Sequence, residues 1–326
     1  MRLKRVIRVL ICFSLFLLLS SGLKPNDSFS DSIISKNKGH KHKVCLILTG
    51  GAARGYCHVG VLSVLEEYNV PVDFIIGISM GSIVGSYYSY GYSINQMLEI
   101  ARSFKLMSLI DINKPFTGFL SGEKLEKFFI NYVDYTDIKD LKKKLYITAT
   151  DLKTQRMVVF DHGPLYIAMR ASSAIPGVFD PVEYKGMLLV DGGVLTNYPI
   201  NLAKKLGADI IIVSNVSVAT TMPRSKMLDM IIRVGNSFIE KNIDKLREQP
   251  INRDLNLKSI LVRTILLIEE NQHICKDVNL KNIDFMIEPV SDQIKPFDFY
   301  KVEEGFELGR TATLKIIDKI VERLQK

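Results

Sequence analysis

The chain has 326 residues, 47% of them hydrophobic and 24% charged. This excludes a disordered or merely solvating polymer, and the length is enough to bury a sizeable core. The formal net charge of +8 would suit a nucleic-acid or anionic-surface binder if it were spread over the chain. It is not: residues 1–42 hold eight Lys/Arg against two Asp, whereas residues 43–326 hold 35 basic and 33 acidic residues. The four cysteines, Cys12, Cys45, Cys57 and Cys275, show no CxxC spacing, so neither a disulfide framework nor a zinc site is expected.

The N-terminus reads as an address. Arg2, Lys4, Arg5 and Arg8 are followed by an apolar run, Val9 to Leu19, broken only by Ser14, and then by Ser20, Ser21 and Gly22. The run is shorter than the ~20 residues of a membrane-spanning helix. Residues 1–23 are therefore expected to be a secretory signal peptide, or a retained signal anchor. Residues 24–42, rich in Lys, Ser, Asn and Asp, read as a flexible spacer. Residues 43–326 read as one domain.

Val44 to Leu48 is a short continuous apolar run, as in a fully buried parallel strand. Residues 56–68 carry a helical pattern. Val72 to Ile76 predicts a second buried strand, and about Ser82 to Tyr90 a second helix. The apolar segment 104–120 suits either a lipid-facing lid or a packed connector. Further strands are expected at Tyr146–Ala149, Met157–Phe160, Met187–Val190, Ile210–Val213 and Asp284–Glu288. Residues 223–248 read as a long mixed-charge helix, residues 259–268 as strand or helix, and residues 301–325 as one long amphipathic helix. Strands alternating with helices predict an α/β fold with a largely parallel sheet and helices on both faces.

Three glycine-rich turns follow predicted strands. The strongest is Gly77-Ile78-Ser79-Met80-Gly81, a G-x-S-x-G between strand and helix, which is the setting of a nucleophile elbow. There a serine hydroxyl projects from a sharp turn near a positive helix end, and the Met80 N–H is placed to help bind an oxyanion. The second is Thr49-Gly50-Gly51-Ala52-Ala53-Arg54-Gly55. Glycines there expose backbone N–H groups to an anion, either a nucleotide phosphate or a tetrahedral oxyanion. The spacing fits neither a dinucleotide fingerprint nor a P-loop, so an oxyanion hole beside Ser79 is the coherent choice. The third, Asp191-Gly192-Gly193, is an ordinary turn by itself, but it places a carboxylate at a strand end, where open α/β sheets build their sites. A histidine base is poorly provided for. His273 follows Asp191 in a polar stretch without strand context, His162 precedes it, and His58 reads as a helix-packing or loop-bracing group. The pattern favours a serine activated directly by a carboxylate.

Taken in order, TGGAARGYCHVGVL, GISMGS and LLVDGGVLTNYPI, with ITATDLKT at 147–154 and RASSAIPGVFDPV at 170–182, resemble the bacterial patatin-like phospholipases. The nearer kinship is with the branch related to neuropathy target esterase. The resemblance is strong over residues 43–215 and weaker to about 324. It implies a three-layer α/β/α sandwich with a mostly parallel central sheet. It also implies a Ser79–Asp191 dyad, an oxyanion loop of Gly50, Gly51, Ala52, Arg54 and Gly55, and no metal or cofactor. The implied activity is hydrolysis of acyl esters of phospholipids or lysophospholipids through an acyl-enzyme. An acyltransferase using the same intermediate, or a non-catalytic lipid-binding protein, are the alternatives. Membrane-surface contact, no nucleic acid, and a periplasmic or cell-envelope location go with that reading. Ala52 stands where the family commonly has a third glycine.

Overall fold

The computed structural model describes residues 41–105, 120–216, 260, 264, 280–289, 293–295 and 297–326. The expectations for residues 1–23 and most of 24–42, and for 223–248, lie outside these residues, as do most of 259–268 and His273.

The strands are β1 (Val44–Leu48), β2 (Phe74–Ile78), β3 (Lys144–Asp151), β4 (Arg156–Phe160), β5 (Val182–Tyr184), β6 (Met187–Asp191), β7 (Ile210–Ser214) and β8 (Phe285–Ile287). The helices are α1 (Tyr56–Glu67), α2 (Met80–Tyr90), α3 (Ile94–Ser103), α4 (Glu123–Val133), α5 (Leu165–Ser172), α6 (Ile200–Lys205), α7 (Val302–Leu314) and α8 (Ile317–Gln325). The strands form one sheet in the order β5-β6-β3-β2-β1-β7-β8, with β4 also paired to β3. Strands β8, β7, β1, β2 and β3 are parallel, whereas β4, β5 and β6 pair antiparallel. The sheet is thus mixed.

Each central strand is buried throughout and shares its side chains between two cores. Val44, Leu46, Leu48, Ile210 and Ile212 face the larger core, with residues of α1, α2, α3 and α5. Cys45, Ile47, Phe74, Ile76, Ile211 and Val213 face the smaller one, with Ile200 and Ala203 of α6. This two-sided burial explains the continuous apolar runs, and it makes the domain an α/β/α sandwich.

Several boundaries differ from the expectation by a few residues, and two of the differences have a visible cause. Strand β2 begins at Phe74 rather than Val72, because Asp73 is occupied in closing the start of the sheet: its carboxylate accepts from the Val44 N–H at 2.6 Å. The predicted helix 301–325 is two helices. It breaks at Ile316, where φ is −128°, and the break turns Ile317 and Ile320 into the core.

The site is set by how β3 shares its edges. Strand β2 pairs with Lys144–Thr148 and β4 with Ile147–Asp151. Their overlap places them on opposite edges. Strand β6 pairs with Ala149–Asp151, beside the same residues as β4. It therefore takes the edge that β2 has just left. Thr148 is the partner of Ile78, and Ala149 is the partner of Asp191. Strand β6 meets the end of β2 head-on and brings Asp191 to Ser79.

Candidate active site

Ser79 is the turn between β2 and α2, with φ 53° and ψ −124°. A non-glycine residue held at such a positive φ costs about 1–3 kcal/mol and persists only where its surroundings enforce it. Here they do. A Cβ on Gly81 would stand 2.1 Å from the Leu48 carbonyl oxygen, and one on Gly77 would stand 2.6 Å from the Ser82 Cα. These close approaches explain both glycines of the pentapeptide. The Ser79 carbonyl accepts from the Ser82 N–H at 2.9 Å and from the Ser82 hydroxyl at 2.6 Å.

Serine is a favoured helix N-cap because its hydroxyl can bond the first-turn N–H groups. Ser79 occupies that position but makes no such bond. Its hydroxyl instead lies towards the Asp191 carboxylate, whose pKa it pulls down. Asp191 is buried and accepts from the Gly193 N–H at 2.8 Å. Burial pushes its carboxyl up to about 6, against the opposing pull of the Ser79 hydroxyl and the Gly193 N–H. Gly192 packs over Thr148 of β3.

The glycine loop closes the other side. Gly50 lies so near the nucleophile that a Cβ there would stand 2.9 Å from the Ser79 Cβ. Its N–H is engaged, donating to Asn197 Oδ1 at 3.1 Å. The N–H groups of Gly51, Ala52 and Met80 have no partner among the described residues. Gly51 packs on Val216 and Gly55 on the Met80 side chain. Ala52 has φ 49°. The Arg54 side chain turns away from the serine and donates from Nε to the Ile294 carbonyl at 2.8 Å.

His58 is fully buried under this loop. Its Nε2 bonds the Thr49 carbonyl at 2.9 Å and its Nδ1 meets the Ser214 hydroxyl at 2.7 Å. A carbonyl only accepts, so Nε2 carries the proton and Nδ1 receives from Ser214. Burial pushes its pKa down to about 4, partly offset by the Thr49 bond. His58 ties the ends of β1 and β7 and does not reach the serine's acid. Asn197 was not singled out from the sequence. It lies within LLVDGGVLTNYPI, and its amide oxygen bonds the glycine loop while lying against Gly193.

Ser79, Met80 and Ala52 open on a cavity of about 340 Å³. Its other walls include Tyr56, Ile83, Tyr87, Phe128, Val178 and Phe179, so a polar end meets an apolar interior. Phe104 and Leu120 also line it. The segment between them, expected as lid or connector, lies outside the described residues at 106–119.

A buried serine–aspartate pair on a strained strand-to-helix turn, facing a glycine loop in an α/β/α sandwich, is the arrangement that the structure presents. Residues 46–204 match the family described as patatin-like phospholipase. The chain is 27% identical over 290 residues to a lysophospholipase NTE1 of Scheffersomyces stipitis, covering 87% of this chain and 18% of that protein. It is 33% identical over 273 residues to that of Debaryomyces hansenii, covering 82% and 17%. The chain thus spans less than a fifth of the curated relatives it matches. These relatives are fungal, so a bacterial source stays an expectation from the sequence. VipD from Legionella pneumophila aligns with 85% of this chain and 67% of its own, at 15% identity and a TM-score of 0.49.

Proposed function

We propose that the chain is a serine hydrolase cleaving acyl esters of lysophospholipids or phospholipids, with Ser79 as nucleophile and Asp191 as general base. The observation that carries this reading is a serine on a strained turn beside a buried carboxylate, whose pKa it lowers, at the polar end of an apolar cavity. With a pKa of about 6, Asp191 is ionised at neutral pH and basic enough to take a proton. Ser79 Oγ attacks the ester carbonyl carbon as its proton passes to Asp191. The oxyanion is met by the N–H groups of Gly51, Ala52 and Met80, each well-placed donor being worth about 3 kcal/mol. The C–O bond to the leaving alcohol breaks, and the alcohol takes the proton from Asp191. A water then gives a proton to Asp191 and attacks the acyl-enzyme, freeing the fatty acid and restoring the Ser79 hydroxyl.

Volume and surface support a lipid substrate. A cavity of about 340 Å³ falls within the range of roughly 300–1,000 Å³ of mostly apolar ligand pockets. Each methylene buried is worth about 0.8 kcal/mol. Phe297 lines the cavity while 59% exposed, and Tyr300, three residues on in the chain, is 75% exposed. Aromatic rings at the rim of such a cavity suit contact with a membrane surface. The basic-then-apolar residues 1–23 support export, on sequence alone.

Purified protein assayed on a chain-length series of p-nitrophenyl esters and on lysophosphatidylcholine tests this. Ser79→Ala and Asp191→Asn are each expected to lose about 10³-fold or more in kcat/KM. Undiminished turnover by Ser79→Ala would sink the enzyme reading. Retained turnover by Asp191→Asn alone would return the base to a histidine, with His273→Ala as the control.

A further inference from the structure

The stretch RASSAIPG, singled out in the sequence, has no part in the chemistry above. Its first serine, Ser172, closes α5 and is fully buried. The Ser172 hydroxyl accepts from the Ser79 N–H at 2.9 Å and donates to the Thr148 carbonyl at 2.8 Å. The direction of this relay is fixed, because a hydroxyl has one proton and only the carbonyl can receive it. Ile78 and Thr148 are the last paired residues of β2 and β3. Immediately beyond them β2 leaves the sheet at Ser79. The hydroxyl spans the gap that opens, joining the turning strand to its old neighbour through one oxygen atom. Two residues on, the Ala174 carbonyl accepts from the Asp191 N–H at 3.0 Å. One short segment, 172–174, therefore holds both members of the serine–aspartate pair by their main chains.

We propose that Ser172 is a positioning residue whose hydroxyl fixes where Ser79 Oγ stands relative to the Asp191 carboxylate. It rests on Ser79 being the nucleophile. Ser79 keeps a positive φ and turns its side chain away from the helix it precedes. Such a conformation holds only if its main-chain groups are tied. The carbonyl is tied by Ser82, and Ser172 ties the N–H. Without the hydroxyl, the peptide is free to rotate towards an ordinary helix start. Oγ then turns from the carboxylate while the cavity that binds the acyl chain is unchanged. A misplacement of about 1 Å costs about 10²-fold in rate, and the loss is expected in kcat rather than KM.

The test is steady-state kinetics on a soluble p-nitrophenyl ester, with the labelling rate of Ser79 by a fluorophosphonate followed by mass spectrometry. Ser172→Ala is expected to lower kcat and the labelling rate together by about 10²-fold, with KM within about 3-fold of the unsubstituted protein. Ser86→Ala is the control. Its hydroxyl is equally buried and donates to a helix carbonyl at 2.6 Å, so its loss removes a buried hydroxyl and its donated bond without touching Ser79. If Ser172→Ala behaves as Ser86→Ala does, with a lower Tm and unchanged kcat, the proposal is wrong. Should Ser172→Ala not fold, Ser172→Cys, whose sulfur is a weaker donor and acceptor, is expected to lose about 10-fold in kcat, and Ser172→Thr to retain it. Wild-type turnover by the cysteine variant overturns the proposal. If the unsubstituted protein neither turns over ester nor labels at Ser79, it is the hydrolase reading that fails.

Discussion

His58 and Asp191 stand at the same end of the sheet, both cut off from water, one beneath the glycine loop and the other beside Ser79. Burial favours the neutral form of each, lowering the histidine to about 4 and raising the aspartate to about 6. At neutral pH the outcomes diverge. His58 is uncharged with both ring nitrogens bonded, so its site satisfies it completely. Asp191 is ionised, accepts from the Gly193 N–H beside the Ser79 hydroxyl, and has no paired cation among the described residues. A bracing group rests in its preferred protonation state. A group suited to take a proton is kept in the state its surroundings disfavour. That contrast of burial, hydrogen bonding and charge separates the two without reference to any family.

The contrast breaks most visibly in Asp191→Asn. The variant is expected to be inactive yet more stable than the parent at pH 8. The folded pKa of about 6 lies above the ~3.9 of an unfolded aspartate. The folded protein therefore binds the proton more tightly, and this group's contribution is fully present below about pH 4 and lost as pH rises through 6. The loss is on the order of 2–3 kcal/mol. Asparagine stays neutral and still accepts from Gly193. Urea denaturation at pH 4.5 and 8 should show the variant's advantage opening as pH rises. Parallel stabilities at the two values would mean that Asp191 is not strained by its charge.

His58 supplies the opposite sign. Its folded pKa of about 4 lies below the ~6.5 of an unfolded histidine. Its contribution is full above about pH 6.5 and is lost as pH falls through 4. His58→Asn should remove that acid-side slope. It should also cost about 1–3 kcal/mol at pH 8 by leaving Thr49 and Ser214 poorly paired, while kcat changes by less than about 10-fold. A kcat collapse of the size expected for Asp191→Asn would make His58 part of the chemistry and erase the distinction.

Much of this arrangement was legible in the sequence, because strand ends and glycine turns are local signals. The turns at Gly50, Ser79 and Asp191 all follow strands, as their apolar runs predict. The direction of β6 was not legible. A run such as MLLV reads the same whether it pairs parallel or antiparallel, and only the edge vacated by β2 makes it meet Ser79 head-on. Ser172 and Asn197 were hidden for a related reason: their bonds join residues 93 and 147 positions apart, beyond any periodicity. Helix α3 was missed despite a local signal. Its Ser93–Gln96 capping box is complete, but its apolar face is short.

The smallest effect concerns the one departure from the expected glycine loop. Ala52 sits at φ 49°, in the left-handed region where a Cβ meets the following carbonyl at a cost of about 1–2 kcal/mol. A third glycine at this place has a plain cause: it would relieve that contact. Glycine also frees the unfolded chain, which returns roughly 0.4–1 kcal/mol of the gain. Ala52→Gly should therefore stabilise the protein by about 0.5–1 kcal/mol. Because the N–H at position 52 is retained, kcat should stay within about 3-fold. The loop differs from the Ser79 turn in this respect: there the positive φ carries a side chain that must be present, whereas at Ala52 the proposed chemistry uses only the main-chain N–H. Destabilisation by 1 kcal/mol or more in urea would show that the methyl group is packed rather than strained, and that the loop is held by its side chains instead of its backbone.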